Sequence, residues 1–430
     1  MFFKDLVVLG GKITKKIFNI SFFPKKHCIF AENYRETMSY NPDFDEIRPY
    51  NEEEMPVVFK ELLSDRQFNL LMKGFTPWLP KSVRNFLLRL LFSGVKTAQD
   101  FQIRFMKPVV KLCIARCTKG TTFSYPKDMV KQKRYLFVSN HRDIVLDSAF
   151  LDLMLHNNGF ERTCEIGIGD NLLIYPWIKK LVRMNKCFTV RRGLTAHEMM
   201  RSSHLMSEYM HYAINEKGEN IWIAQREGRA KDSDDRTQDS VLKMFAMGVE
   251  EGTLLTDALK DLHIAPLTIS YEYDPCDYLK AEEFQFKRDV PGWKKSKQDD
   301  LDNMKTGIMG FKGRVHYELS PCIDEWLDEM GKKDIPRKEM FHEIAQHIDV
   351  EIHSRYRLYP CNWIAKDELD GTNNSDKYTS ADKQTFEKYL NKQIAKVKVP
   401  NPDYDFLREK ILTMYANPCR NWLAATGMQK

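Results

Sequence analysis

Three short stretches of the chain set ionisable side chains directly after apolar, strand-like runs. The first, "FVSNHRDIVLDSAF" at 137–150, delivers Asn140, His141, Arg142 and Asp143, with Asp147 further on. The second, "FTVRRG", sets Arg191 and Arg192 just past an apolar run. The third, "WIAQREGRAKD", sets Arg226, Glu227, Gly228 and Arg229 after "NIWIA". A histidine whose tautomer is fixed by a carboxylate can take a proton from a hydroxyl. Guanidinium forks suit a phosphate. Together these groups would activate an alcohol that belongs to a phosphorylated molecule. No G-x-S-x-G elbow is present and no cysteine lies in the three stretches, so direct attack by the substrate hydroxyl fits better than a covalent enzyme intermediate.

His141-Arg142-Asp143 also has the form of a protein-kinase catalytic loop, which needs a metal-binding Asn after four intervening residues. That position holds Ser148, "GIGDNL" supplies only two of the required glycines, and no Asp-Phe-Gly occurs. The kinase reading fails.

The elements that must position these groups are legible from about residue 133. "RYLFVSN", "CEIGIGD", "CFTVRR", "NIWIAQ", "HIAPLTISYEY" and "VHYELSP" are short, mostly apolar and bounded by turn residues, as strands are. Between them "DSAFLDLMLHNN", "NLLIYPWIKKLVRM", "TAHEMMRSSHLMSEYMHYAINEKG" and "DSVLKMFAMGVEEGTLLTDALKD" carry helical periodicity. The alternation predicts an α/β fold with a largely parallel central sheet and crossover helices, whose sites gather at the carboxyl ends of strands. The expected organisation is an N-terminal extension with an acidic, turn-rich segment over 1–65, a basic amphipathic helical segment over 66–125, the α/β domain over 126–325, and a helical region over 326–430. The basic segment sets Lys81, Arg84, Arg89, Lys96, Arg104, Lys107, Lys111, Arg116 and Lys119 against a single acid, Asp100, among apolar residues at helical spacing. Such helices suit an anionic membrane surface. The alternative is a helix pair that packs on the main domain and solvates its charged side.

With 430 residues, 43% of them hydrophobic, the chain can bury a large core. Its net charge of +6 is too modest to name a partner, and no nucleic-acid partner is expected. Nine scattered cysteines, among which only Cys113 and Cys117 are close, argue for reduced thiols, a cytoplasmic location and no metal site. No apolar run reaches the ~18 to 20 residues of a spanning helix. The N-terminal "MFFKDLVVLGGKITKKIFNISFFPKK" has only a six-residue apolar core and no small-residue cleavage pattern, unlike a signal peptide.

The order of the motifs resembles the glycerophosphate acyltransferases, the family of lysophosphatidic acid and glycerol-3-phosphate acyltransferases. "NHRDIVLD", "CFTVRR", "REGR" and "IAPLTISYE" are similar to that family's N-H-x4-D, F-(I/V)-x-R, E-G-(T)-R and Pro-containing strand blocks, in the same order, and the likeness spans about 133–275. It implies that His141 is the catalytic base and that Asp147, or else Asp143, holds its imidazole. It further implies that Arg191, Arg229 and Arg192 bind the acceptor phosphate, and that Glu227 and Gly228 shape the pocket flanked by Asn140 and Arg142. Two departures stand out. Five residues, not four, separate His141 from Asp147, and the third block has no Thr. The function so implied is transfer of a fatty acyl group from acyl-CoA or acyl carrier protein to 1-acyl-sn-glycerol-3-phosphate. Glycerol-3-phosphate is the alternative acceptor, and a non-catalytic lipid- or phosphate-binding scaffold the rival class. No cofactor is implied, and the expected place is peripheral, on the cytoplasmic inner face of a membrane.

Overall fold

The structure is a computed structural model that describes residues 40–428; the N-terminal basic stretch read above lies outside the described residues. The described residues divide into two compact units, 40–106 with Leu173–Cys187, and Lys107–Leu172 with 188–428. The boundary falls inside the expected basic segment, and the C-terminal helices belong to the same unit as the sheet.

The larger unit is built on seven strands: β1 (Thr121–Ser124), β2 (Leu136–Ser139), β3 (Cys164–Gly169), β4 (Cys187–Val190), β5 (Asn220–Ala224), β6 (Ile264–Tyr271) and β7 (Val315–Leu319). Their order across the sheet is β1-β7-β6-β2-β5-β3-β4. β6, β2, β5 and β3 pair in parallel. β7 runs antiparallel to β6 and parallel to β1, so one edge of the sheet is reversed. β1, "TTFS", is short and half-polar and carries no strand signature of its own; only its pairing with β7 makes it a strand. Every residue of β2 and β6 is buried, as expected of central strands covered by helices on both faces. Pro266 is tolerated inside β6 because the β7 ladder begins only at Leu267, so no bond to β7 is lost to its missing N–H. The helix Leu146–Asn157 packs on β3, Ala196–Asn215 on β5, and Arg337–His353 on β6.

The C-terminal helices Pro360–Asp370, Ser380–Ile394 and Tyr404–Thr426 close a second apolar cluster around Leu390, Leu407, Ile411 and Tyr415, which also takes in Tyr273 beyond β6. A buried carboxylate pins these helices to the sheet side. Asp277 Oδ2 accepts from the Tyr389 and Tyr415 hydroxyls, each at 2.8 Å, and Oδ1 from Gln393 Nε2 at 2.5 Å and from Tyr278 N at 2.6 Å.

The smaller unit holds the helices Met55–Ser64, Arg66–Phe75, Lys81–Phe92, Ala98–Phe101 and Pro176–Met184. Met55, Phe59, Leu62, Phe92, Phe101 and Met184 form its core, with Phe59 and Phe92 stacked at 3.8 Å.

Burial, with Asp274 adding to it, pushes the Asp277 carboxyl up from 3.8 to about 7. The folded state therefore holds this proton more tightly than the unfolded chain does. Stability from this group is complete below the unfolded value and is lost as pH rises toward the folded one. Relative to Asp277→Asn, the wild-type protein should lose about 1.4 kcal/mol per pH unit across that window. Denaturant unfolding at pH 5, 6 and 7 measures this, and parallel curves for the two proteins would refute it.

Candidate active site

β2 ends at Ser139, and the chain leaves the sheet through Asn140. The Asn140 side chain takes the place of one more peptide of the ladder: Oδ1 accepts from Ile269 N at 2.8 Å, and Nδ2 donates to Ile269 O at 2.9 Å. Its amide is buried and bonded to β6, so Asn140 shapes the strand exit.

His141 follows, with its side chain 14% exposed. Its Nδ1 lies 2.8 Å from Asp147 Oδ2. Because a carboxylate can only accept, this contact puts the proton on Nδ1 and leaves the Nε2 lone pair free. Asp147 is completely buried and accepts three further bonds: Arg142 N at 2.6 Å and Asp143 N at 2.9 Å on Oδ2, and the Tyr271 hydroxyl at 2.9 Å on Oδ1. The Tyr317 hydroxyl donates to the Asp147 carbonyl at 3.0 Å. Burial and the nearby Asp147 charge push both phenols well above their ordinary range, so both remain donors. The edge of Trp222, from β5, meets the His141 ring at 5.6 Å, and its Nε1 donates to Ser139 Oγ at 3.0 Å.

This geometry explains how five intervening residues are accommodated. Asp143 Oδ1 accepts from Val145 N and Leu146 N, both at 2.9 Å, which closes a turn before the helix Leu146–Asn157. The turn aims the Arg142 and Asp143 amides at the Asp147 carboxylate. Asp143 is therefore the turn-forming acid, and Asp147 the one bonded to His141. Lys312 Nζ lies 4.0 Å from Asp143 Oδ2.

The arginines part company. Arg142 is buried, with Nη2 2.8 Å from Asp235 Oδ2 and its guanidinium over the Tyr356 ring, so it ties the loop to the helical region and does not line an open site. Arg229 is also buried; its Nη2 donates to Asn303 Oδ1 at 3.1 Å. Burial works against its charge, but Cys276, Asp274 and Asp143 beside it outweigh that and hold the guanidinium above its ordinary range. Arg191 is exposed and Arg192 half-buried, just past β4. The expected three-arginine fork thus reduces at the surface to Arg191 and Arg192. Arg192 Nη1 pairs with Glu227 Oε1 at 2.5 Å, and Arg192 N donates to Asp170 Oδ1 at 3.1 Å. β4 and β2 are separated by β5 and β3, and the Glu227–Arg192 bridge carries the β5 loop across that gap. Gly228 takes a φ of +70°, a conformation glycine adopts without strain, and this reverses the chain between exposed Glu227 and buried Arg229.

Tyr271, Tyr317 and Trp222 were not expected at the site. Tyr271 lies within "IAPLTISYE", where its place at the carboxyl end of a strand is visible, but its partner is not.

Among the described residues, one group of possible metal ligands comes together: His263, Cys322 and Asp324, with His263 itself just before β6, at the end of that strand remote from Tyr271. His263 Nδ1 lies 2.7 Å from Asp324 Oδ2, and Lys133 Nζ 3.2 Å from the same oxygen, so the carboxylate is already neutralised. Among the described residues no helix is long and apolar enough to cross a membrane.

A His–Asp pair stands at the carboxyl end of a parallel strand, with the second ring nitrogen unclaimed among the described residues, an arrangement chemically able to take a proton from a hydroxyl. Residues 121–270 match the family described as Acyltransferase. Among solved structures, the 1-acyl-sn-glycerophosphate (LPA) acyltransferase PlsC from Thermotoga maritima is similar, at 12% identity and a TM-score of 0.31, over 68% of this chain and 97% of that one. No curated protein matches the chain.

Removing the Tyr271 hydroxyl leaves Asp147 Oδ1 without its donor while every contact of His141 stays in place. A hydrogen bond to a charged group is worth about 1.5–3 kcal/mol, so Tyr271→Phe should lower kcat roughly ten- to a hundredfold with KM little changed. Steady-state kinetics check this; an unchanged kcat would remove Tyr271 from the dyad's support.

Proposed function

We propose that this protein is an O-acyltransferase of phospholipid synthesis, moving a fatty acyl group from acyl-CoA or acyl carrier protein to 1-acyl-sn-glycerol-3-phosphate. The observation that carries the reading is the His141–Asp147 pair at 2.8 Å, with Nε2 unclaimed among the described residues. In this reading Nε2 accepts the proton of the acceptor hydroxyl as its oxygen attacks the thioester carbonyl. A tetrahedral intermediate forms. Its collapse breaks the C–S bond, and the imidazolium returns the proton to the departing sulfur. Asp147 holds the ring and offsets the charge that forms on it. Arg191 and Arg192 receive the acceptor's phosphate, Arg192 turning from Glu227, whose carboxylate is largely exposed. The acyl donor and acceptor are substrates, and the reaction so written uses no bound cofactor.

The place of action in this reading is a bilayer surface, reached from the cytoplasmic side. The helix Lys81–Phe92 supports it. Val83, Phe86, Leu87, Leu90 and Leu91 are exposed on one face, while Arg84, Leu88 and Phe92 are buried on the other. An apolar stripe of this size, flanked by cations, fits the interface of an anionic membrane.

Thiol release from palmitoyl-CoA, with and without 1-acyl-glycerol-3-phosphate, tests the reaction. Release should depend on the acceptor and fall by ~10² to 10⁴-fold in His141→Ala. Acceptor-independent release, or a mutant that keeps more than about a tenth of turnover, would refute the assignment. Phe86→Ser with Leu90→Ser should weaken sedimentation with anionic vesicles at least about tenfold, given ~25 cal/mol for each Å² of apolar surface kept in water. Undiminished binding would exclude this helix as the dock.

A further inference from the structure

The smaller unit contains a cavity of about 630 Å³ between the helices Arg66–Phe75 and Lys81–Phe92. Arg66, Lys73, Lys81 and Arg84 line it together with Trp78, and no acidic residue does. Three features of this cleft are independent of one another. The four cations have no carboxylate partner among the described residues. Arg84 is only 5% exposed, yet its buried Nε has no hydrogen-bond partner and Nη1 reaches only the Leu79 carbonyl, at 3.5 Å. The helix Lys81–Phe92 begins at Pro80 with no side-chain cap, and Pro80 and Lys81, at the positive end of its dipole, line the cleft.

A buried guanidinium with few partners is stabilised when an anion in the cleft it lines offsets its charge. Uncapped helix amides, an Arg and flanking Lys side chains form a phosphate-binding set. Trp78, half exposed at the same cleft, has the amphipathic ring favoured at headgroup depth. The exposed stripe Val83, Phe86, Leu87, Leu90 and Leu91 lies on the very helix whose N-terminus forms the cleft.

We propose that this cleft is a second lipid site, which binds the phosphate of an intact anionic phospholipid in the bilayer. It is built from residues other than His141, Asp147, Arg191 and Arg192. It rests on the bilayer reading above and deepens it: the apolar stripe supplies adhesion to any bilayer, and the cleft supplies preference for phosphate-rich ones.

The test is co-sedimentation of the full chain with phosphatidylcholine vesicles and with vesicles containing phosphatidylglycerol. Wild type should prefer the anionic vesicles. Arg84→Gln, and independently Lys73→Gln with Lys81→Gln, should reduce that preference by roughly fivefold for each charge removed. Binding to neutral vesicles should not change. The Lys variants are exposed substitutions, which keeps the test valid if Arg84→Gln unfolds the unit. Arg89→Gln, on the same helix but outside the cleft, should have much less effect; an equal loss would mean diffuse charge and overturn the site. Loss of the preference in excess inorganic phosphate would assign the cleft to free phosphate and overturn the lipid reading. An unchanged preference in both cleft variants would also overturn it. Thiol release toward a water-soluble short-chain acceptor should be unaltered in these variants, so failure of the lipid site and failure of the transferase reading are told apart.

Discussion

Asp147 is fully buried, and four groups converge on its side chain: the His141 ring, two backbone amides and the Tyr271 phenol. Much of the active-site architecture follows from meeting that demand. An unpaired carboxylate in this position would cost several kcal/mol. Neighbouring elements each supply part of the compensation. The loop after β2 folds its amides inward, β6 sends Tyr271, and β7 sends Tyr317 to the Asp147 carbonyl. The histidine orientation is thus a by-product of a larger network, which leaves Nε2 without a hydrogen-bond partner among the described residues.

The same logic of buried charge shapes what surrounds the site. Arg142 and Arg229 sit next to the residues expected to do chemistry, but both turn inward, one to Asp235 and the other to Asn303 in the field of Asp143 and Asp274. They connect the site to the C-terminal helices and to the helix Lys297–Met309. The helical region after β7 is therefore part of the scaffold: Tyr356 stacks on Arg142, and Tyr389 and Tyr415 complete Asp277. An acyltransferase domain matched over 121–270 here leans on residues far beyond its end.

The smaller unit follows a different rule. Its core mixes aromatic with aliphatic side chains, whereas the helix Lys81–Phe92 leaves a wide apolar face in solvent. A soluble surface rarely carries so many large apolar side chains at helical spacing without a partner. Charge distribution and apolar exposure, both local properties of a few helical turns, set this unit's surface apart; they carry the bilayer reading proposed above.

The strands β2 to β7 were readable because each is a short apolar run between turn residues, and a parallel sheet buries such runs on both faces. β1 was not, since four half-polar residues become a strand only when β7 lies beside them. The placing of His141 just past a strand end was also carried by local pattern. Which acid would hold it was not: Asp143 and Asp147 both lie within reach along the chain, and the choice depends on where one turn points its amides. Sequence alone likewise placed Arg142, Arg191, Arg192 and Arg229 at strand ends, but could not say which face inward. Local residue type and spacing determined the elements and the inventory of reactive groups. Tertiary structure decided their partners, because pairing a buried charge is settled by groups distant in sequence, such as Tyr271, Asp235 and Asn303, that only folding brings within hydrogen-bond reach.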